Sequence, residues 1–249
     1  MTFTVENLTE RQIAKTIDHS LLRPELDDAF VEDGCRLAAR YDVASVCVPP
    51  VHVRRANAIL AGTDVAVGTV VGFPHGSCTT ETKVGETVQA LANGATEIDM
   101  VLQIGALKSG RDADVSADIR AVVVEAHGTG AIVKVIFENA YLTDDEKIRA
   151  CRLTESAGGD FVKTSTGFAA SGATHDDLRL MRANTSAHVG VKAAGGVRSL
   201  DALIDVMNLG VTRIGATATA AIIDDFRART AGGVGVGAST VPASGDAGE

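Results

Sequence analysis

The chain has 249 residues, 45% of them hydrophobic and 22% charged, enough for a full core and the size at which a single eight-stranded α/β barrel closes. Its 32 acidic residues outnumber 23 basic ones, giving a net charge of -9 with no basic stripe. That excludes nucleic acid and anionic membrane as partners and leaves room for a local anion pocket. Four separated cysteines (Cys35, Cys47, Cys78, Cys151), no basic-then-apolar leader and no apolar run of about 18 residues predict reduced thiols in a cytoplasmic protein without a membrane span.

In chain order, two periodicities alternate. Thr9-Glu10-Arg11-Gln12 is a capping box that opens a short helix, and Thr16–Leu22 follows as a first strand closed by Pro24. Glu25–Arg40 reads as helix, Ala44–Val48 as strand, Val51–Leu60 as helix and Val65–Phe73 as a β-branched strand covered on both faces. A helix over Thr80–Asn93 stops at Gly94, and a strand covers Thr96–Leu102. Helix Val115–His127 leads to strand Ala131–Glu138. Thr143-Asp144-Asp145-Glu146 caps a helix that runs to Gly158-Gly159, ahead of the short strand that carries Lys163. Thr174 caps the next helix, Val189–Ala194 is strand, and Ser199 caps a helix ending at Gly210. Val211–Gly215 is the last strand, and a final helix covers Thr219–Arg229.

Eight strands alternating with helices are what a (β/α)8 TIM barrel requires, with an open doubly wound sheet as the alternative that periodicity leaves standing. No strand is followed by GxGxxG or GxxxxGK[ST], which disfavours the nucleotide-binding open sheets. The expected architecture is one barrel domain over residues 1–230, preceded by a short helix, with a flexible Gly/Ala/Ser-rich tail over 231–249.

The chemistry lies in charges placed where strands should be apolar. Three of seven lysines, Lys134, Lys163 and Lys192, fall inside strands, and Asp18 and Asp99 fall inside two others. On a closed barrel alternate residues face the axis, so these five converge, either as a structural ion-pair network or as a catalytic cluster. Lys163 either reaches solvent at a frayed strand end or, if buried, finds an anion or loses its proton. A second cation beside it would depress its pKa further, the route by which a lysine becomes a nucleophile toward carbonyls. Gly195-Gly196 after the seventh strand and Gly215-Ala216-Thr217 after the eighth stand where barrels commonly receive phosphate. Cys47, at a strand end, reads as packing.

Glu97-Ile98-Asp99-Met100-Val101, Val162-Lys163-Thr164-Ser165-Thr166-Gly167-Phe168 and Val191-Lys192-Ala193-Ala194-Gly195-Gly196-Val197-Arg198 together resemble the signatures of the deoxyribose-phosphate aldolase family. Ile17–Leu22, Gly72–Gly76 and Lys134–Glu138 are similar to that family as well, so the likeness spans roughly residues 10–225. It implies a class I aldolase of deoxyribonucleotide catabolism that needs no metal and no cofactor. Such an enzyme cleaves 2-deoxyribose 5-phosphate to glyceraldehyde 3-phosphate and acetaldehyde, and forms a homodimer or higher homo-oligomer. By the match, Lys163 forms the Schiff base and Asp99 and Lys192 transfer protons. Thr166, Gly167, Gly195, Gly196, Ala216 and Thr217 lie along the phosphate, Asp18 positions substrate, and Lys134 anchors the network. Many members carry paired serines where this chain has Ala216-Thr217-Ala218, and some use a C-terminal tyrosine, whereas the tyrosines here are Tyr41 and Tyr141. A sugar-phosphate isomerase or synthase, or a non-catalytic sugar-phosphate-binding barrel, are the alternatives.

Overall fold

The expected strands form β1 (Ile17–Ser20), β2 (Ser45–Val48), β3 (Ala66–Val71), β4 (Glu97–Val101), β5 (Ile132–Ile136), β6 (Phe161–Lys163), β7 (Gly190–Ala194) and β8 (Arg213–Ala216). They are seen in a computed structural model that describes residues 2–232. Each strand pairs in parallel with the next, and β8 returns to β1 with Ile17 beside Ile214 and His19 beside Ala216. The sheet is therefore a closed barrel, and the open sheet is excluded. The strands are shorter than the expected runs: β1, β3, β4 and β5 stop before their runs do, β2 and β7 only start one residue later, and β8 starts at Arg213 and reaches Ala216, one residue past its run.

The helices follow the caps. Thr9 accepts from the Gln12 N–H at the start of α1 (Glu10–Ala14), and Thr143 and Glu146 exchange bonds at the start of α7 (Asp144–Ala157). Gly158 ends α7 at φ 90, a conformation that a residue with a Cβ resists. Between them run α2 (Asp28–Arg40), α3 (Val53–Leu60), α4 (Thr80–Ala92), α5 (Ile104–Lys108) and α6 (Asp112–His127). After α7 come α8 (His175–Ala183), α9 (Leu200–Asn208) and α10 (Thr219–Gly232). The single turn of α5 has too few residues to register a period, and the sequence reading passed over it. Helix α10 continues through Gly232, so the first two residues assigned to the tail are helical; the others, 233–249, lie outside the described residues.

Alternation along the strands divides the molecule into two interiors. Val46, Ile98, Met100, Val133, Val162, Val191 and Ile214 face outward and are fully buried in the apolar layer between sheet and helices. Each such side chain contributes about 1.5–3 kcal/mol. Cys47, Val70, Val101, Ile136 and Ala194 are buried too but stand apart from that layer, because they face the axis. The same parity turns Asp18, Glu97, Asp99, Lys134, Lys163, Lys192 and Arg213 inward. The register sets Asp99 beside Lys134, Lys163 beside Lys192, and Lys192 beside Arg213.

Candidate active site

Asp99 is the hub of the axial cluster. Its Oδ2 accepts from Lys163 Nζ at 2.7 Å and from Lys192 Nζ at 2.8 Å, and its Oδ1 accepts from Lys134 Nζ at 2.7 Å. Lys134 also donates to Glu97 Oε2 at 2.7 Å. Arg213 bridges Glu97, with contacts at 3.0 and 3.1 Å, and Asp18, whose Oδ1 it reaches at 2.5 Å. Ser45 donates to the same Asp18 oxygen at 2.7 Å. Lys192 lies 2.5 Å from Asp18 Oδ2, a charge contact outside hydrogen-bonding geometry. The five charges singled out in the sequence do meet in one cluster.

Glu97 and Arg213 complete that cluster, and the sequence reading assigned neither. Their signals were present: Glu97 stands two residues before Asp99 on one strand, hence on the same face, and Arg213 interrupts an apolar strand as the lysines do.

The cluster holds three carboxylates, Asp18, Glu97 and Asp99, against four cationic side chains, so full ionisation leaves one positive charge in excess. Burial alone would raise both aspartates. Lys134, Lys163 and Lys192 instead hold Asp99 well below the usual carboxylate range, and Lys192, Lys134 and Arg213 hold Asp18 below it. Burial likewise works against Lys134 and Lys192, but Asp99 and Glu97 keep the first well above its ordinary value, and Asp18 and Asp99 keep the second above it. Lys163 has the weakest partnership, one oxygen shared with Lys192. Burial, reinforced by repulsion from Lys192, overcomes Asp99 and lowers its pKa. The surplus proton therefore leaves most readily from Lys163, the last residue of β6 and 3% exposed.

Above the cluster opens a cavity of about 1080 Å³. Lys163, Lys192, Asp18 and Cys47 reach it, whereas Asp99 and Lys134 lie below, outside its lining. Cys47 is a buried thiol, pushed up to about 11 chiefly by burial. Gly167, Gly195, Gly196, Ala216 and Thr217 line one side of the mouth, with Arg198, a cation that the sequence reading did not single out for this site. The loops after β6 and β7 press together there: a Cβ on Gly172 would fall 2.6 Å from the Gly195 carbonyl oxygen, and Ala173 N–H donates to both Ala194 O and Gly195 O at 3.1 Å.

Thr166 is at the rim as expected, but its hydroxyl turns into the protein, to Glu138. On the far side His19 Nδ1 lies 2.8 Å from Thr219 Oγ1, a buried contact that ties β1 to the first residue of α10. Burial lowers His19 to about 4. Phe168 meets Phe73 edge to face at 5.4 Å and joins the loops after β6 and β3 across the mouth.

Fold and site define a class: parallel α/β barrels that carry, on the barrel axis, a lysine cluster bridged by one aspartate, with one lysine at the C-terminal end of its strand. The chain belongs to the DeoC/LacD family of aldolases, whose sequence profile matches residues 12–237. It is 52% identical over 211 residues to a deoxyribose-phosphate aldolase of Bacillus cytotoxicus, covering 85% of this chain and 94% of the relative. It is 49% identical over 220 residues to one of Alkaliphilus oremlandii, covering 88% and 99%. The tetrameric deoxyribose phosphate aldolase of Aeropyrum pernix superposes with a TM-score of 0.83 at 28% identity, over 90% of this chain and 95% of that one.

Proposed function

We propose that this protein is a class I aldolase that reversibly cleaves 2-deoxy-D-ribose 5-phosphate to glyceraldehyde 3-phosphate and acetaldehyde through a Schiff base on Lys163. The carrying observation is the Lys163 amine, buried with a lowered pKa and bonded to an Asp99 oxygen that it shares with Lys192. The relatives named deoxyribose-phosphate aldolase, close to half identical over most of both chains, supply the substrate.

In this reading the neutral amine adds to the C1 aldehyde, and loss of water gives an iminium. The C2–C3 bond breaks as its electron pair flows toward the iminium nitrogen, leaving an enamine, while the C3 hydroxyl gives up its proton. Asp99, ionised and beneath the cavity, takes that proton through Lys192 or one water, because Lys192 is the member of the pair that reaches the cavity. The Lys192 ammonium then supplies a proton to C2 of the enamine, and hydrolysis frees acetaldehyde. Asp18 and Lys134 fix the charge balance, and Asp18, which lines the cavity with its Oδ2 2.5 Å from Lys192 Nζ, positions the substrate through that ammonium. The phosphate lies along Gly167, Gly195, Gly196, Ala216 and Thr217, where backbone amides and the start of α10 favour an anion. Self-association is part of the proposal, given the tetrameric relative, and so is a cytoplasmic site of action, given four free thiols.

Incubation with acetaldehyde and borohydride tests the reading. A covalent gain of one ethyl group that maps to Lys163 and is lost in Lys163→Leu is expected; an isomerase or a binding protein gains no mass. Release of acetaldehyde from the sugar phosphate is the second measurement.

A further inference from the structure

Glu138 belongs to no part of the charged cluster, yet it is buried to 2% exposure and touches the loop beyond Lys163. Its main chain lies in the left-handed region at φ 56, which a residue with a side chain keeps only when its surroundings enforce it. They do so here from both sides: Phe137 N–H donates to Lys163 O at 3.0 Å and Asn139 N–H to Thr164 O at 2.9 Å. Glu138 is thus the point at which the end of β5 is pinned to the chain leaving β6.

The described hydrogen bonds of its carboxylate all come from Thr166. Oε2 accepts from Thr166 N–H at 3.2 Å and, in a shorter contact, from the Thr166 hydroxyl. Thr166 Oγ1 accepts in turn from Phe168 N–H at 3.0 Å. A threonine hydroxyl has one proton, and this one is given to Glu138, so none remains for a phosphate oxygen. A carboxylate next to an anion site repels its ligand, and what Glu138 contributes is therefore shape.

We propose that Glu138 is a positioning residue that holds the Thr166–Phe168 loop in its anion-receiving form, with Thr166 as its handle and not as a phosphate ligand. The inference rests on the phosphorylated substrate proposed above. It is read from KM and kcat on 2-deoxyribose 5-phosphate and on 2-deoxyribose, in a cycle of Glu138→Ala, Thr166→Val and the double variant. Glu138→Ala is expected to raise KM for the phosphorylated sugar about tenfold and to leave kcat/KM for the plain sugar within about twofold, with imine trapping intact. Thr166→Val should do the same, and the double variant should be no worse than either single one. Glu138→Gln, which keeps an acceptor oxygen at the same reach, should restore most of the affinity. Glu138→Asp, one methylene short, replaces the alanine variant if that does not fold.

Two results overturn the proposal: a double variant whose loss is the product of the single losses, which makes Thr166 a phosphate ligand, or a loss in Glu138→Ala that is equal on both sugars. A wild type that does not distinguish the two sugars overturns the phosphate reading itself, before any variant is compared.

Discussion

Lys163 differs from Lys134 and Lys192 by its share of negative charge. All three are buried, and burial penalises an ammonium equally in kind. Lys134 has Asp99, Glu97 and Asp18 around it, and Lys192 has Asp18 and Asp99, whereas Lys163 has one shared oxygen. Removing Lys192 should therefore raise the Lys163 pKa, since a repelling cation goes and both carboxylates stay. Lys192→Leu is expected to move the ascending limb of the pH–rate profile to higher pH and to lower kcat by about 10²–10⁴-fold, the range for a lost proton-transfer group. An unmoved limb would show that Lys192 does not set the Lys163 charge. His19 gives a second pH dependence, this time of stability. Its folded pKa of about 4 lies below the ordinary histidine value of 6.5, so the unfolded chain binds the proton first as pH falls. Stability from this group is complete above about pH 6.5, and up to about 3 kcal/mol is lost between there and about pH 4. Denaturant midpoints of His19→Leu should be flatter than wild type across that window.

At the scale of elements, a strand carrying a charge on alternate residues aims it at the axis, and its neighbours decide whether the charge is tolerated. Arg213 at the start of β8 lies between Asp18 and Glu97 and stacks over Phe161 at 5.7 Å, so Arg213→Leu leaves two buried carboxylates short of their cation. A loss of about 3–5 kcal/mol is expected, seen as a lower thermal midpoint. A control lies on the outer ring, where Thr143→Ala removes the capping box of α7 and should cost about 1 kcal/mol with kcat unchanged. The capping boxes were legible in the sequence because four consecutive residues make them. The Glu138–Thr166 bond was not, because its partners are 28 residues apart and meet only after β5 and β6 pair.

For the whole molecule, the excess of acidic residues and the balance of the axial cluster are separate matters. Surface charges are screened by salt, and charges closed inside the barrel are screened far less. The Lys163 limb of the pH–rate profile is thus expected to shift by less than about 0.3 units between about 0.05 and 1 M salt, even if KM for the anionic sugar changes. A larger shift would place the amine in contact with bulk solvent.

The sequence by itself determined the order of the strands and of the helices other than α5, most of their caps, and the presence of lysines and aspartates where strands should be apolar. All of these are written in periods and neighbours within one turn or one pleat. Tertiary structure alone decided the rest: that β8 closes on β1, that Lys192 and Asp99, 93 positions apart, share a bond, and that Asp99 lies under the cavity while Thr166 turns from it. Which charge faces which depends on register and barrel closure, and it is that pairing, more than any residue's identity, that decides which amine gives up its proton.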